Sequence, residues 1–346
     1  MLPAAFPAAL QGSVFPKEMQ APARASLKKW AFSAAVQSQG QGAVRTWRPV
    51  ALASTGGVTL DGAVLHTHAK QSKMLRAQAS VETPKWVLMM HGNGSFFELQ
   101  LAFAAKVAKH ANASVLVFNF RGATYRCRFC LHICELAAYV PLFVTILAGL
   151  TNLSLGPSRL FWLQLSLFPP VGVGLSTGLA TSDLDLLDDA TAALHHILST
   201  GAAPRDILIY GHSLGGGLGA QLRARYPEGP IISDRSFSTL PCVPSSWIQQ
   251  LLPSSPPPPS SVAAKEAARG KDGKDKQKPS RVRMLLLKTK ALLLAGLRRA
   301  MQALQWEMDA QACWQGIQGH KFVIFHPADE IINLTHASLA QALLHR

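Results

Sequence analysis

Cysteine is scarce in this chain. Five cysteines occur among 346 residues, without regular pairing and without a convincing signal peptide, so the sequence offers no disulfide framework. Three of them, Cys127, Cys130 and Cys134, surround His132. Zinc requires four ligands at recognisable spacing, and no second ligand pair exists. We therefore expect neither a metal nor another cofactor.

Acidic residues are also few. The chain has 19 Asp and Glu and 34 Lys and Arg, which gives a formal net charge of +15. The imbalance is concentrated at residues 261–299, where twelve Lys and Arg face three acids. No recognised nucleic-acid-binding fold and no aromatic stripe accompanies this charge, so we expect no nucleic-acid partner. Residues 1–50 carry one acid, Glu18, which is typical of either a transit peptide or a disordered leader.

A Gly-x-Ser-x-Gly pattern spans residues 211–215, with Ser213 at its centre. An apolar run precedes it at 207–210, and small residues follow it. In a nucleophile elbow, a serine on a strained turn between a buried strand and a helix exposes its hydroxyl. Flanking glycines, here Gly211 and Gly215, let the two elements close tightly. The pattern therefore predicts an elbow, the alternative being a chance match in a chain with 26 glycines.

A second motif follows the predicted buried strand at residues 85–90. It consists of His91, Gly92, Asn93 and Gly94. Small residues after a strand let a backbone N–H point at a carbonyl oxygen as it becomes negative. We predict an oxyanion hole formed by backbone N–H groups near Asn93 and at Leu214, the alternative being an ordinary glycine turn. Neither His91 nor His212, which belong to these motifs, is a convincing base.

These motifs resemble those of the α/β-hydrolase superfamily. The resemblance continues at residues 115–122, similar to the family's strand ending in Asp/Asn-aromatic-Arg-Gly, at 174–178, and at 231–237. The Ser-Phe-Ser segment at 236–238 and the stretch 306–309 resemble the serine-aminopeptidase-like branch and a poorly characterised chlamydial group. The resemblance implies a mostly parallel α/β sheet flanked by helices, with an inserted cap region, and a serine hydrolase that forms an acyl-enzyme.

In this family the catalytic acid follows the serine and ends a late strand. Residues 321–326 are the predicted strand, and Asp329 lies in the loop after it. We predict that Asp329 holds the catalytic histidine in its correct tautomer, with Glu330 as the weaker candidate. The alternative role of Asp329 is to cap a helix that begins near residue 333.

The catalytic histidine is not found at the expected place. The family requires a helix, a strand and a loop after the acid, yet only 16 residues separate Asp329 from His345. A helix of about 11 residues and a strand of about 5 use that length. His336 falls inside the predicted helix 333–344. His345 is the remaining candidate base, although a helix-end role is the stronger interpretation, and the simplest interpretation is that the chain stops short of this histidine.

Residues 123–172 do not fit the hydrolase pattern. Their removal joins 118–122 to 173–178 in the family's uninterrupted strand-to-loop order. We hypothesise an insertion, either a retained intron in the gene model or a membrane segment. Residues 136–158 carry no charge and are long enough to span about 30 Å of hydrocarbon, although prolines weaken them as a membrane helix.

A linker rich in Pro and Ser at 253–261 and a charged tract at 265–280 precede residues 281–304, which combine leucines with Lys288 and Arg298. This pattern is typical of a basic amphipathic helix. Either the helix lies on an anionic membrane surface and delivers an apolar substrate to the site, or it packs on the core as a cap helix with a solvated basic face.

The expected organisation is, in chain order, a leader at 1–50, a hydrolase core at 51–122 and 173–240 around the insertion at 123–172, a linker and basic cap at 241–305, and a truncated C-terminal part of the core at 306–346. The expected activity is cleavage of an ester, thioester or amide bond in a small-molecule acyl substrate, such as a lipid-like one. The alternative is a non-catalytic relative that acts in binding or membrane attachment. The expected location is cytoplasmic or membrane-associated.

Overall fold

The computed structural model describes residues 47–66, 84–93, 95–123, 176–251, 281–329 and 331–344. The strands are β1 (Trp47–Ala53), β2 (Thr59–Leu65), β3 (Trp86–Met90), β4 (Ser114–Phe118), β5 (Gly122–Ala123), β6 (Leu179–Ala180), β7 (Ile207–His212), β8 (Ile231–Asp234) and β9 (Lys321–Ile324). Seven of them form one sheet in the order β1-β2-β4-β3-β7-β8-β9, and β5 pairs with β6. β2 runs antiparallel to both of its neighbours, whereas β4, β3, β7, β8 and β9 are parallel.

Helices cover both faces of this sheet. They are α1 (Leu101–Ala111), α2 (Asp183–Leu198), α3 (Leu214–Arg225), α4 (Cys242–Leu251), α5 (Arg281–Ala303), α6 (Ala310–Gly316) and α7 (Leu339–Leu344). Successive side chains of a strand point to opposite faces. In β3, Leu88 and Met90 therefore pack in the core that includes α2 and α3, while Val87 and Met89 pack against α1. The predicted architecture, a mostly parallel sheet flanked by helices, is confirmed.

The region predicted as a cap lies between β8 and β9 and includes α4 and α5. β1 begins at Trp47, inside the range that the sequence assigns to the leader. Within the described parts of the chain, no helix is long and apolar enough to cross a membrane. The uncharged segment 136–158 and the cysteines around His132 lie outside the described residues.

The two sides of the predicted insertion meet at the end of β4. The Ser176 hydroxyl donates to the Asn119 carbonyl oxygen over 2.7 Å and accepts the Asp61 N–H over 2.9 Å. β5 and β6, which flank residues 124–178, also pair with each other. This proximity fits the hypothesis of an inserted segment, which itself lies outside the described residues apart from Ala123.

The predicted helix 333–344 is wrong in its first half. α7 begins only at Leu339, because the Asn333 carbonyl oxygen accepts the N–H groups of His336, Ala337 and Ser338 in a closed turn. Ser338 then pairs with Phe237 in a β-bridge. His336 is consequently an exposed turn residue rather than a helical one.

A buried ion pair joins the segment that follows β4 to α2 and to the turn after β1. The Asp189 carboxylate is fully buried and accepts the backbone N–H of Arg121 over 2.7 Å, its Nε over 2.9 Å and its Nη2 over 2.7 Å. The Ser54 hydroxyl also donates to Asp189 over 2.7 Å. A buried charge is stable only when it is paired and hydrogen-bonded, and both conditions are met here.

Asp189→Ala is expected to lower the free energy of unfolding by about 3 kcal/mol, because it removes the closest anionic partner of a buried guanidinium and leaves only Asp185, at 3.4 Å, as its ion partner. Chemical denaturation measures this loss. The matched control is Asp188→Ala, since this partly exposed neighbour accepts one hydrogen bond, from the Thr55 hydroxyl over 2.9 Å. Loss of this hydrogen bond is expected to lower the free energy of unfolding by about 1 kcal/mol. Equal losses in the two variants would contradict the role assigned to the ion pair.

Candidate active site

Ser213 occupies a sharp turn between β7 and α3. Its φ is 52° and its ψ is −112°, a backbone conformation that residues other than glycine rarely adopt. The turn is fixed from both sides. The Ser213 N–H donates to the Asp234 carbonyl oxygen over 2.9 Å, and its carbonyl oxygen accepts the Gly216 N–H over 3.0 Å and the Ser236 hydroxyl over 2.9 Å. This is the geometry that the sequence pattern predicts for an elbow.

The flanking glycines permit backbone contacts that no side chain would allow. A Cβ at Gly211 would collide with the Gly215 carbonyl oxygen, and a Cβ at Gly215 would collide with the Met90 carbonyl oxygen. β7, α3 and β3 therefore meet backbone to backbone at the elbow. This contact is the physical reason for the glycines on either side of Ser213.

The predicted oxyanion motif lies beside the elbow. A Cβ at Gly92 would lie 3.1 Å from the Ser213 Cβ and 2.8 Å from the His212 Nδ1. Asn93 is exposed in the turn that follows, and Leu214 is the first residue of α3, where backbone N–H groups have no partner within the helix. The structure thus brings these predicted residues to one edge of the sheet, while Gly94 lies outside the described residues.

Asn119, at the end of β4, positions the segment that follows this motif. It is fully buried; its Oδ1 accepts the Phe97 N–H over 2.9 Å, and its Nδ2 donates to the Glu98 carboxylate over 3.2 Å. The Ser95 N–H closes the turn itself by donating to the Gly92 carbonyl oxygen over 3.3 Å. The sequence marks Asn119 as part of a motif, but only the structure assigns it this role.

His91 is buried and neutral. Its Nδ1 donates to the Gly92 carbonyl oxygen over 2.9 Å, and its ring packs edge-on against Phe120 at a centroid distance of 5.0 Å. Burial lowers the pKa of His91 to about 4. We therefore assign His91 to the support of the motif, as the sequence indicates, rather than to proton transfer.

His212 and Asp329 lie close enough for their charges to interact. Burial lowers the pKa of His212, the positive charge of Arg235 lowers it further, and the negative charges of Asp234 and Asp329 oppose both effects. The Asp329 Oδ1 also accepts the N–H groups of Ile331 and Ile332 over 2.9 and 2.8 Å. Asp329 therefore caps this turn, and not a helix beginning near 333.

The hydrogen bonds that the Asp329 carboxylate accepts come from backbone N–H groups. Within the described ranges, no histidine ring donates to the Asp329 carboxylate. His326 is exposed in the same loop, where its carbonyl oxygen accepts the Asp329 N–H over 3.1 Å. His345 and Glu330 lie outside the described residues, so the assignment of His345 stays a prediction.

A polar cluster that the sequence does not indicate lies next to the elbow. The Asp234 carboxylate accepts the Tyr210 hydroxyl over 2.6 Å and the Arg235 Nε over 3.0 Å. Burial opposes the ionisation of Asp234, but these two hydrogen bonds lower its pKa. Arg235 also has a positive φ of 47°. The cluster fixes Asp234, whose carbonyl oxygen holds the Ser213 N–H.

Comparisons with known proteins give distant structural similarities. No protein-family model and no curated protein matches the chain. Among solved structures, it is similar to an esterase from Pyrococcus furiosus, with 12% identity over 87% of this chain and 76% of that chain and a TM-score of 0.44. It is also similar to a hydrolase from Pseudomonas aeruginosa, with 15% identity over 84% of each chain and a TM-score of 0.40. An esterase from Pyrobaculum calidifontis is similar at 14% identity over 62% of this chain, with a TM-score of 0.33, and the chain spans about half of its length, 52%. At these values the similarities carry no argument about activity, which must come from the site itself.

The buried His91 predicts a pH dependence of stability. The unfolded chain protonates this imidazole near its ordinary pKa of 6.5, whereas the folded chain resists protonation down to about 4. The contribution of neutral His91 to the free energy of unfolding is therefore complete above pH 6.5 and is lost as the pH falls from 6.5 towards 4. The shift corresponds to about 3 kcal/mol. Denaturation of the wild-type chain and of His91→Gln across this range is expected to show a smaller pH dependence in the variant.

Measurement of both proteins at pH 7 separates the packing cost of the substitution from this effect. Parallel losses in the two proteins between pH 7 and pH 4 would contradict the assignment of a buried, neutral His91.

Proposed function

We propose that this chain is a serine hydrolase of the α/β-hydrolase type, in which Ser213 attacks an ester, thioester or amide carbonyl. The observation that supports the proposal best is the backbone of Ser213. A non-glycine residue in such a conformation costs about 1–3 kcal/mol and persists only where its surroundings enforce it. Here hydrogen bonds to Asp234, Gly216 and Ser236 enforce it, and the strain presents the hydroxyl beside Gly92.

The proposed reaction passes through an acyl-enzyme. As the Ser213 oxygen attacks, its proton passes to a base, and the carbonyl oxygen becomes negative. The N–H of Leu214, at the positive end of α3, and an N–H near Asn93 are the proposed donors to this oxyanion. The base then protonates the leaving group, and water attacks the acyl-enzyme to release the acid. The closeness of Gly92 to Ser213 supports this assignment of donors.

Asp329 is the proposed acid of the triad, because it follows Ser213 in chain order and its loop follows β9. His345 is the proposed base by its place after the acid. The serine-aminopeptidase-like branch and a lipid-like acyl substrate are further parts of the proposal, and both rest on the sequence.

A second candidate is a non-catalytic relative that uses the same fold for binding. The observation that favours it is that, among the described residues, no histidine is hydrogen-bonded to Asp329. Such a protein would retain the elbow without a base that activates Ser213.

A fluorophosphonate probe distinguishes the two candidates, because it reacts with an activated serine and leaves a stable covalent adduct. We expect the full chain to be labelled and Ser213→Ala to lose all labelling. The matched control is Ser199→Ala, which removes an exposed hydroxyl at the end of α2 and is expected to leave labelling unchanged. Intact-protein mass spectrometry measures the extent of labelling.

Equal labelling of wild type and Ser213→Ala would overturn the assignment of the nucleophile. A folded wild-type chain that is not labelled at all would favour the non-catalytic alternative. Thermal unfolding of each variant verifies that a loss of labelling does not come from misfolding.

A further inference from the structure

Among the described side chains of helix α5, those on one side of the helix are partly buried. Leu287, Leu294, Leu297 and Met301 recur at helical spacing and are partly buried, and α4 packs against α5. This packing joins the two described helices of the predicted cap. It accounts for only part of the apolar surface that α5 carries.

The other side of α5 exposes large apolar side chains. Leu292 is 73% exposed, Met284 43% and Leu293 41%. A helix that packs on the core of a soluble protein normally presents polar residues on its outer face. Three large exposed apolar residues on one helix therefore indicate a surface that can bind an apolar partner.

Basic residues flank these apolar side chains, and acids are absent from the helix. Its 23 residues include six Lys and Arg and no Asp or Glu. Lys288 is exposed before Leu292, and Arg298 and Arg299 are exposed after Leu293. Leucines between basic residues suit the boundary of an anionic bilayer, where apolar groups enter the acyl region and cations remain at the headgroups.

The segment that follows α5 is hydrogen-bonded to the segment that supports the elbow. After α5, the Gln305 carbonyl oxygen accepts the Asp183 N–H over 3.0 Å, and the Glu307 carbonyl oxygen accepts the Leu240 N–H over 3.0 Å. Leu240 belongs to the segment that begins with Ser236, whose hydroxyl donates to the Ser213 carbonyl oxygen. α5 is thus attached to the same segment that supports Ser213.

We propose that α5 is a peripheral membrane-docking helix, which places Leu292 and Leu293 in the surface of a bilayer that contains anionic phospholipid. The charge of the helix and its exposed leucines together select this occupant over a neutral membrane or an acidic protein. Docking requires no catalysis, so it does not depend on the proposed function.

Sedimentation of the purified full chain with vesicles tests the proposal. We expect binding to vesicles of phosphatidylcholine mixed with phosphatidylserine, weak binding to phosphatidylcholine alone, and loss of binding at high salt. Arg298→Glu with Arg299→Glu is expected to weaken binding by about 30-fold or more, since each base near an anionic surface contributes about fivefold. Leu292→Gln with Leu293→Gln is expected to weaken it about tenfold or more.

Two matched controls stand on α1. Lys106→Glu with Lys109→Glu makes the same change of charge at exposed positions, and Phe103→Gln removes a side chain that is 46% exposed. Both are expected to bind vesicles as the wild-type chain does, and so is Ser213→Ala. Thermal unfolding confirms that each variant is folded.

Equal effects of the α5 and α1 charge variants would overturn the proposal, because they would show that net charge alone attracts the chain. No vesicle binding, with a dimer in solution that Leu292→Gln with Leu293→Gln converts to a monomer, would also overturn it. That result would identify the exposed face of α5 as an interface between two copies of the chain.

Discussion

The close contact of three backbones at the elbow is the constraint on which the site depends. β7, α3 and β3 meet where Gly211 faces Gly215 and Gly215 faces Met90, so that only hydrogen atoms fit between them. α3 contains four glycines, and each weakens a helix by about 1 kcal/mol relative to alanine. The helix is nevertheless formed, because its packing against β3, β7 and β8 needs small residues. The same contact holds Ser213 at a positive φ and keeps Gly92 against it.

The elbow and the fold can be predicted from the sequence because each requires particular residue types. The elbow requires glycines at fixed spacing around Ser213, and a buried parallel sheet requires strands of continuous apolar residues. The error at 333–344 has a local cause, since the Asn333 carbonyl oxygen collects three N–H groups and delays the helix to Leu339. The cluster around Asp234 could not be predicted, because Tyr210 and Asp234 lie 24 positions apart and meet only through the pairing of β7 with β8.

Charged residues occur in this chain in two different settings, one buried and one at the surface. The ion pair between Arg121 and Asp189 is buried, and it joins the segment after β4 to α2. Lys288, Arg298 and Arg299 of α5 lie at the surface, on the same helix as the exposed Leu292 and Leu293. One arrangement stabilises the scaffold of the site. The other is the surface that we propose docks on an anionic bilayer, and it lies on the helix that leads to the segment supporting Ser213.

The most direct measurement is a crystal structure of the full chain after reaction with the fluorophosphonate probe. We predict a phosphorus atom bonded to the Ser213 Oγ, a φ of Ser213 that is still positive, and a phosphoryl oxygen within hydrogen-bond distance of the Leu214 N–H and of an N–H at Asn93. A phosphoryl oxygen turned towards bulk solvent, or an adduct on another residue, would contradict the proposal that this strained turn is a catalytic elbow.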